Sequence, residues 1–454
     1  MNLSFHYLRN KKSRMQILVL VNSLTPRNQY IINHILGKML SFEVKITENI
    51  NELLEHQGLK INYTDRKINQ TINITPHPLL SLNGIFEQSF AFFYWKSIPA
   101  FFMTDNEADI PFDIFAASFY LITRYEEYFP LETDMHGRFK VAYSIAFRNG
   151  FLEVPIVDLW VSELGEMIKQ KYPNVKLEEK KFQFIPTIDI DNAFAFKHKG
   201  LVRTSLGSAR SLTKLQIDDL LKRTAVNLNL EYDPFDTYDE LMQILKDKPN
   251  SVWFILGGEY GSYDKNVPLR KKSMRKLVKR IANRYQVGVH PSYGAETSFE
   301  RVKSELDALS KVINKKVVAS RQHFLRLKLP QTYRLLNELG ITHDYSMGYS
   351  NAIGFRASTC TPFRFYDLID EKELPLVVVP FQVMDRALLD GLKYNARQAV
   401  DRTLEIANRV CKVGGIFVTI WHNESLSGIN EWEGWEKVFS EIVWGVNLLG
   451  NSES

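Results

Sequence analysis

Apolar positions along the chain fall into runs and periods that predict alternating strands and helices. MQILVLVN (residues 15–22) is an almost unbroken apolar stretch of strand length. TPRNQYIINHILGKML follows it with Ile31, Ile32, Ile35, Leu36 and Leu40 at helical spacing and Pro26 near the start. A missing backbone amide costs nothing there. SFEVKITENI alternates and reads as a strand, and DIFAASFYLITRYEEYFP reads as a helix stopped by Pro130. Its stripe of Phe115, Phe119, Leu121, Ile122 and Tyr125 predicts a core face. These elements make a small α/β module, in which Asp113, Arg124, Glu126 and Glu127 read as a satisfied surface network.

A lysine-rich stretch, KLEEKKFQF (residues 176–184), interrupts the pattern and marks a boundary between residues 1–178 and 179–454. Beyond it, FIPTIDID, SVWFILGG, VGVHP, VVASRQHF, LPLVVVPF and GIFVTIWHN read as strands. Between them lie helical patterns. DTYDELMQILKD has Asp236 placed as an N-cap, and LPQTYRLLNELG is closed by Gly340. PLRKKSMRKLVKRIANRY carries apolar residues at helical spacing under a basic, solvated face. Helices following strands again and again predict a parallel sheet or an α/β barrel.

Composition narrows the class. The chain has 454 residues, of which 45% are hydrophobic and 12% aromatic, enough for a sizeable core. Its net charge of +5 is small for that length and does not argue for nucleic acid. Two cysteines, Cys360 and Cys411, offer neither a disulfide framework nor metal-ligand spacing. The apolar stretch at 17–21 is short for a signal peptide, and FAFFYWKSIPAFFM is broken by Lys96 and Pro99. The expectation is a cytoplasmic protein without an integral membrane segment, compatible with peripheral contact at the inner membrane surface.

Titratable residues gather where the predicted strands end. Asp189 and Asp191 close FIPTIDID, two positions apart and so on one face of a strand, roughly 6–7 Å from each other. His290 follows VGV, Arg321 and His323 stand in SRQHF, and His422 follows an apolar strand in TIWHNE. Active sites of α/β barrels collect at such ends. Two carboxylates inside a buried β-branched run need partners. They fit a metal site with a proton acceptor beside it, or caps on loop amides. An imidazole at a strand end is a common metal ligand, although one bonded to a carbonyl fits equally well. Arg321 fits a bidentate clamp on a carboxylate. Asn423 and Glu424 could orient His422 or cap the turn that follows it. Arg356, in the polar loop GFRASTCTPF, Tyr293 and Trp421 are the candidate substrate contacts, with Trp421 also read as core by strand alternation. His136, His198 and His343 read as structural. LGGEYGSYD lacks the Lys-Ser/Thr ending of a phosphate loop, and no cofactor site besides a metal is expected.

In this order these residues resemble the polysaccharide deacetylase family with NodB homology, over about Lys181 to the C-terminus. FAASFYLITRYEEY further resembles a bacterial subgroup with an additional uncharacterised N-terminal domain. The resemblance implies a distorted (β/α) barrel after a smaller α/β domain. It implies a divalent metal, often zinc, and hydrolysis of acetyl groups on carbohydrates. TIDID matches the family's Asp-x-Asp variant, which makes Asp189 the base and Asp191 a metal ligand. Arg321 matches the arginine that positions the base, and His422 matches the general acid. His290 matches the first histidine of a pair, but Gly294 stands where the second is expected. His323 is the candidate to replace that histidine as third ligand. Two other readings stay open: a degenerate deacetylase fold that binds glycan without turnover, and a glycosidase using Asp189 with Glu259 or Glu424.

Overall fold

The computed structural model describes residues 14–104, 108–199 and 217–451. Strands β1 (Gln16–Val21), β2 (Glu43–Thr47), β3 (Leu59–Tyr63) and β4 (Ile72–Asn73) form a parallel sheet in the order β2-β1-β3-β4. The helix Pro26–Ile32 begins where predicted. Thr25 and Asn28 exchange side-chain and backbone bonds there as a capping box. The helix Ile114–Ile122 is wholly buried and starts on Asp113. That carboxylate accepts from the Phe115 and Ala116 amides, the His77 amide and the Tyr63 hydroxyl. A short antiparallel ribbon, β5 (Phe93–Trp95) and β6 (Ile98–Ala100), lies between them in sequence.

The second sheet contains β7 (Gln183–Ile190), β8 (Val252–Leu256), β9 (Gln286–His290), β10 (Ala319–Ser320) and β11 (His343–Asp344). It is completed by β12 (Phe363–Asp367), β13 (Lys372–Val378), β14 (Val383–Met384) and β15 (Ile416–His422). The order is β12-β13-β11-β10-β9-β8-β7-β15-β14, and every pair is parallel except β12 with β13. The expected α/β alternation is present. The expected barrel is not closed by strand pairing among the described residues, because β12 and β14 are the two ends of the sheet. The reason is local. Asp367 accepts from the Ile369 and Asp370 amides and builds a tight turn, so β12 folds back on β13 and occupies its outer edge.

One hydrophobic cluster runs from Ile17 to Val446 and includes residues from both sheets. Polar bonds cross the same region. The Asp158 carboxylate accepts from the Cys360 amide and the Thr361 hydroxyl, and Tyr30 donates to the Arg364 carbonyl. The expected surface network around Arg124 is paired, but it is buried, and Arg124 Nη1 has no hydrogen-bond partner. Arg124 bonds Glu126 and Glu127, and Arg356 grips Glu127 through Nε and Nη2 at 2.8 and 2.5 Å. Burial is affordable there because each carboxylate meets a guanidinium. Asp236 does not cap its helix: Thr237 holds the N-cap position of Tyr238–Ile244, without a side-chain bond.

His34 yields a stability prediction. Its ring is buried, stacked on Tyr30 and edge-on to Phe363, and its Nε2 has no hydrogen-bond partner. Burial, helped by Lys38 and Lys180, pulls its pKa down to about 3. The unfolded chain therefore takes up a proton below about pH 6.5 that the folded protein refuses until about pH 3. Stability falls with pH across that window, by about 2 kcal/mol between pH 6.5 and pH 5. Urea midpoints measured at pH 7 and pH 5 should fall less for His34→Phe than for the parent. Equal falls would show that His34 does not carry this acid sensitivity.

Candidate metal centre

The ends of β7, β9, β10 and β15 meet on one edge of the large sheet. Register places His422 beside Asp189, Leu256 beside His290, and Ser320 beside Val289. Asp191 follows the last residue of β7, and Arg321 follows the last residue of β10. His323 lies in a short helical turn, His323–Leu325, rather than on a strand.

Asp191 is the hub. Its Oδ1 is 3.1 Å from His290 Nε2, and its Oδ2 is 3.3 Å from His323 Nε2 and 3.6 Å from His422 Nε2. Each imidazole is oriented through its other nitrogen. His290 Nδ1 bonds the Arg321 carbonyl, His323 Nδ1 lies 3.0 Å from Asp264, and His422 Nδ1 lies 2.9 Å from Asp385. All three acceptors can only accept, so Nδ1 carries a proton in each ring and Nε2 faces the centre. Metal-binding histidines are commonly held this way.

Asp191, His290 and His323 each offer one ligand atom, all within 4.8 Å of one another. The Asp191 carboxylate lies 3.1 Å from His290 through Oδ1 and 3.3 Å from His323 through Oδ2, so both imidazoles converge on one carboxylate, as ligands of a single ion would. A further observation supports the fit. Asp191 Oδ1 is buried without a hydrogen-bond partner although His290 Nε2 is 3.1 Å away. That oxygen is an unused acceptor turned toward His290, and a cation held between the two would satisfy it. The donor set of one carboxylate and two imidazoles suits zinc or a similar borderline divalent ion and leaves a fourth position open.

Asp189 sits beside this cluster, with Oδ2 3.7 Å from His290 Nε2. Its Oδ1 accepts from Arg321 Nη1 at 2.7 Å. Arg321 is fully buried. It also donates to the Thr187 hydroxyl and the Tyr345 carbonyl, and its guanidinium lies 4.4 Å from the centroid of the Phe254 ring. Burial alone would raise the Asp191 carboxyl, but His323 and His290 outweigh it and hold that group well below the usual range. Burial would lower His323, yet Asp191 and Asp264 outweigh it and raise the imidazole to about 9. His422 behaves likewise, raised to about 10 by Asp385 and then Asp191 and Asp189 against the effect of burial.

The structure thus brings Asp189, Asp191, His290, Arg321, His323 and His422 together. The position of the missing histidine, Gly294, is exposed and bonded through its carbonyl to Arg301, while the His323 imidazole lies 3.3 Å from Asp191. Two expected substrate contacts need correction. Arg356 is committed to Glu127 and the Gly348 carbonyl, and Trp421 is a core side chain packed on Phe439. Tyr293 is half-buried, stacked on Tyr263 with ring centroids 4.1 Å apart. The carboxylates considered for a glycosidase are paired elsewhere, Glu259 with Arg270 and Glu424 with Arg386. Among the residues read as structural, His343 bonds Thr342, and His136 touches the hydroxyl of Tyr293. Asp264 and Asp385 were not expected. Asp264 lies in LGGEYGSYD and Asp385 just beyond β14, each an acid shortly after a strand.

Residues 17–173 match a family described as a family of unknown function, DUF7033. No curated protein matches the chain. Among solved structures, a protein assigned as a polysaccharide deacetylase from Mycobacterium smegmatis is 15% identical with a TM-score of 0.37, over 59% of this chain and 85% of that one. The polysaccharide deacetylase Bc1974 from Bacillus cereus is 14% identical with a TM-score of 0.29, over 60% and 89%. BA3943, a CE4 family pseudoenzyme from Bacillus anthracis, is 10% identical with a TM-score of 0.29, over 58% and 62%. Similarity at this level carries neither activity nor substrate to this chain.

Equilibrium dialysis with metal quantification tests the cluster. The chain should retain one equivalent of Zn2+ or Co2+. His323→Ala should lose it, and Asp264→Asn should weaken it by about 10–100-fold. Below about pH 9 the metal must displace the His323 proton, so affinity should fall by up to about ten-fold for each pH unit lost. Retention by His323→Ala, or affinity independent of pH, would remove His323 from the ligand set.

Proposed function

We infer that this protein is a metal-dependent hydrolase that removes acetyl groups from a carbohydrate. One observation carries the reading: Asp189, bonded to Arg321, stands next to a cluster of three potential ligands, and His422, charged and oriented by Asp385, lies 3.6 Å from Asp191 in the same cluster. The motif resemblance supplies the substrate class, and Tyr293, at the half-buried rim, remains a candidate substrate contact. A divalent ion held by Asp191, His290 and His323 would supply Lewis acidity toward the acetyl carbonyl and acidify a water molecule.

The chain's own residues do the rest. Arg321 Nη1 donates to Asp189 Oδ1 and so holds that carboxylate beside the cluster, where a proton acceptor is required. Asp189 takes the proton of the attacking water as the new C–O bond forms. His422 enters as imidazolium and gives its Nε2 proton to the departing nitrogen or oxygen as the acetyl bond breaks. Asp385, bonded to the His422 Nδ1 and backbone amide and to the Ser425 hydroxyl, keeps the ring turned so that Nε2 faces the centre. Acetate and the freed amine or alcohol are the products.

The test is acetate release from a panel of acetylated sugars and sugar nucleotides by Zn2+- or Co2+-loaded protein. Asp189→Asn should lower kcat by about 10²–10⁴-fold while retaining metal. No release of acetate from any member by the loaded protein would overturn the reading. His422→Ala should slow N-acetyl substrates by about 10²-fold or more, and an aryl acetate much less, since a phenolate leaves without a proton. Equal losses on both would remove His422 as the proton donor.

A further inference from the structure

His323 is the member of the ligand set with no strand beneath it, since β10 ends at Ser320. Besides Asp264, which bonds its ring, part of what holds its turn comes from the N-terminal half of the chain. Thr133 bridges Phe139, and the tight turn between them is organised by Asp134. The Asp134 carboxylate accepts from the His136 and Arg138 amides and from Arg138 Nε. Arg138 is thereby aimed outward, and its Nη1 donates to the Phe324 carbonyl at 3.0 Å. In the opposite direction, Arg326 Nε donates to the His136 carbonyl at 2.9 Å and its Nη1 to the Tyr293 carbonyl at 2.6 Å. The two turns are laced by an arginine from each side.

The lacing brackets a strained point. Phe324 has φ 58° and ψ 14°, and Leu325 has φ 54°. Left-handed backbone in bulky residues is unfavourable and persists where surrounding bonds hold it. Phe324 follows His323 directly. Its ring lies 4.7 Å from the His136 ring on one side and 4.7 Å from the His323 ring on the other. A continuous set of contacts therefore leads from Asp134 to the imidazole facing Asp191.

We propose that the turn Asp134–Arg138 is a positioning element of the metal centre, in which Arg138, acting through the Phe324 carbonyl, keeps His323 in reach of Asp191. The proposal rests on Asp191, His290 and His323 being metal ligands. It gives residues 132–139, within the part of the chain matched to a family of unknown function, a task in the site itself. Releasing Arg138 lets Phe324 relax out of its left-handed conformation, and His323 moves with it.

Co2+ titration of the full chain at fixed pH reads both affinity and the visible absorption of the bound ion. Arg138→Ala should bind Co2+ about ten-fold more weakly, with an altered absorption envelope. Arg138→Lys, which keeps a donor, should recover part of the loss. Lys140→Ala, whose partner is Glu132 on the same hairpin, should match the parent. If Arg138→Ala does not fold, Arg138→Gln takes its place with the same expectation. Parental affinity and spectrum in these Arg138 variants would overturn the positioning role while leaving the metal site standing. A parent that takes up no Co2+ would overturn both.

Discussion

A guanidinium cannot be buried without partners, and the architecture of this site follows from how Arg321 finds them. Its side chain reaches Asp189 and Thr187 on β7 and the carbonyl of Tyr345 after β11, so three strands are held at fixed distances around one charge. Its own carbonyl accepts from His290 Nδ1. One residue therefore fixes the position of the proposed base and the orientation of a proposed metal ligand. Neither could be adjusted alone. The Phe254 ring against the guanidinium excludes water from this arrangement, which strengthens each of these bonds.

The same logic is repeated around the centre. Every imidazole that faces Asp191 is held from behind by an acceptor: a carbonyl for His290, Asp264 for His323 and Asp385 for His422. Removing an outer partner would leave the ring free to turn, so the inner geometry depends on residues that touch no substrate. The two acids are themselves fixed, Asp264 by the Tyr293 amide and Asp385 by Ser425 and the His422 amide. Arg138 and Arg326 extend this holding of the centre to the opposite half of the chain.

How much of this was legible in the sequence depends on the distance over which each contact acts. The strands carrying Asp189, His290 and His422 were readable because apolar periodicity is a local property. His323 was read as part of a strand, but the strand ends at Ser320 and His323 opens a short helical turn whose next two residues are left-handed. Asp264 and Asp385 were invisible because their pairing with His323 and His422 spans 59 and 37 positions of sequence. The fate of Arg356 was hidden for the same reason, since Glu127 lies 229 residues away. Trp421 illustrates the opposite error: strand alternation had already assigned it to the core, where it lies. Closure of the large sheet turned on a single pairing, the return of β12 along β13, which no periodicity announces.

The core shared by the two halves also bears on how the protein is made. Glu127 leaves the ribosome with Arg124 beside it, but Arg356, its second guanidinium, follows 229 residues later. Asp158 waits 202 residues for the Cys360 amide. At about 5–20 residues per second, roughly 10–45 seconds pass before those partners are synthesised. During that interval the nascent N-terminal half carries acids and apolar surface whose native covering does not yet exist. Its maturation is thus tied to translation of the last hundred or so residues, and whatever shields it meanwhile must be water or a chaperone.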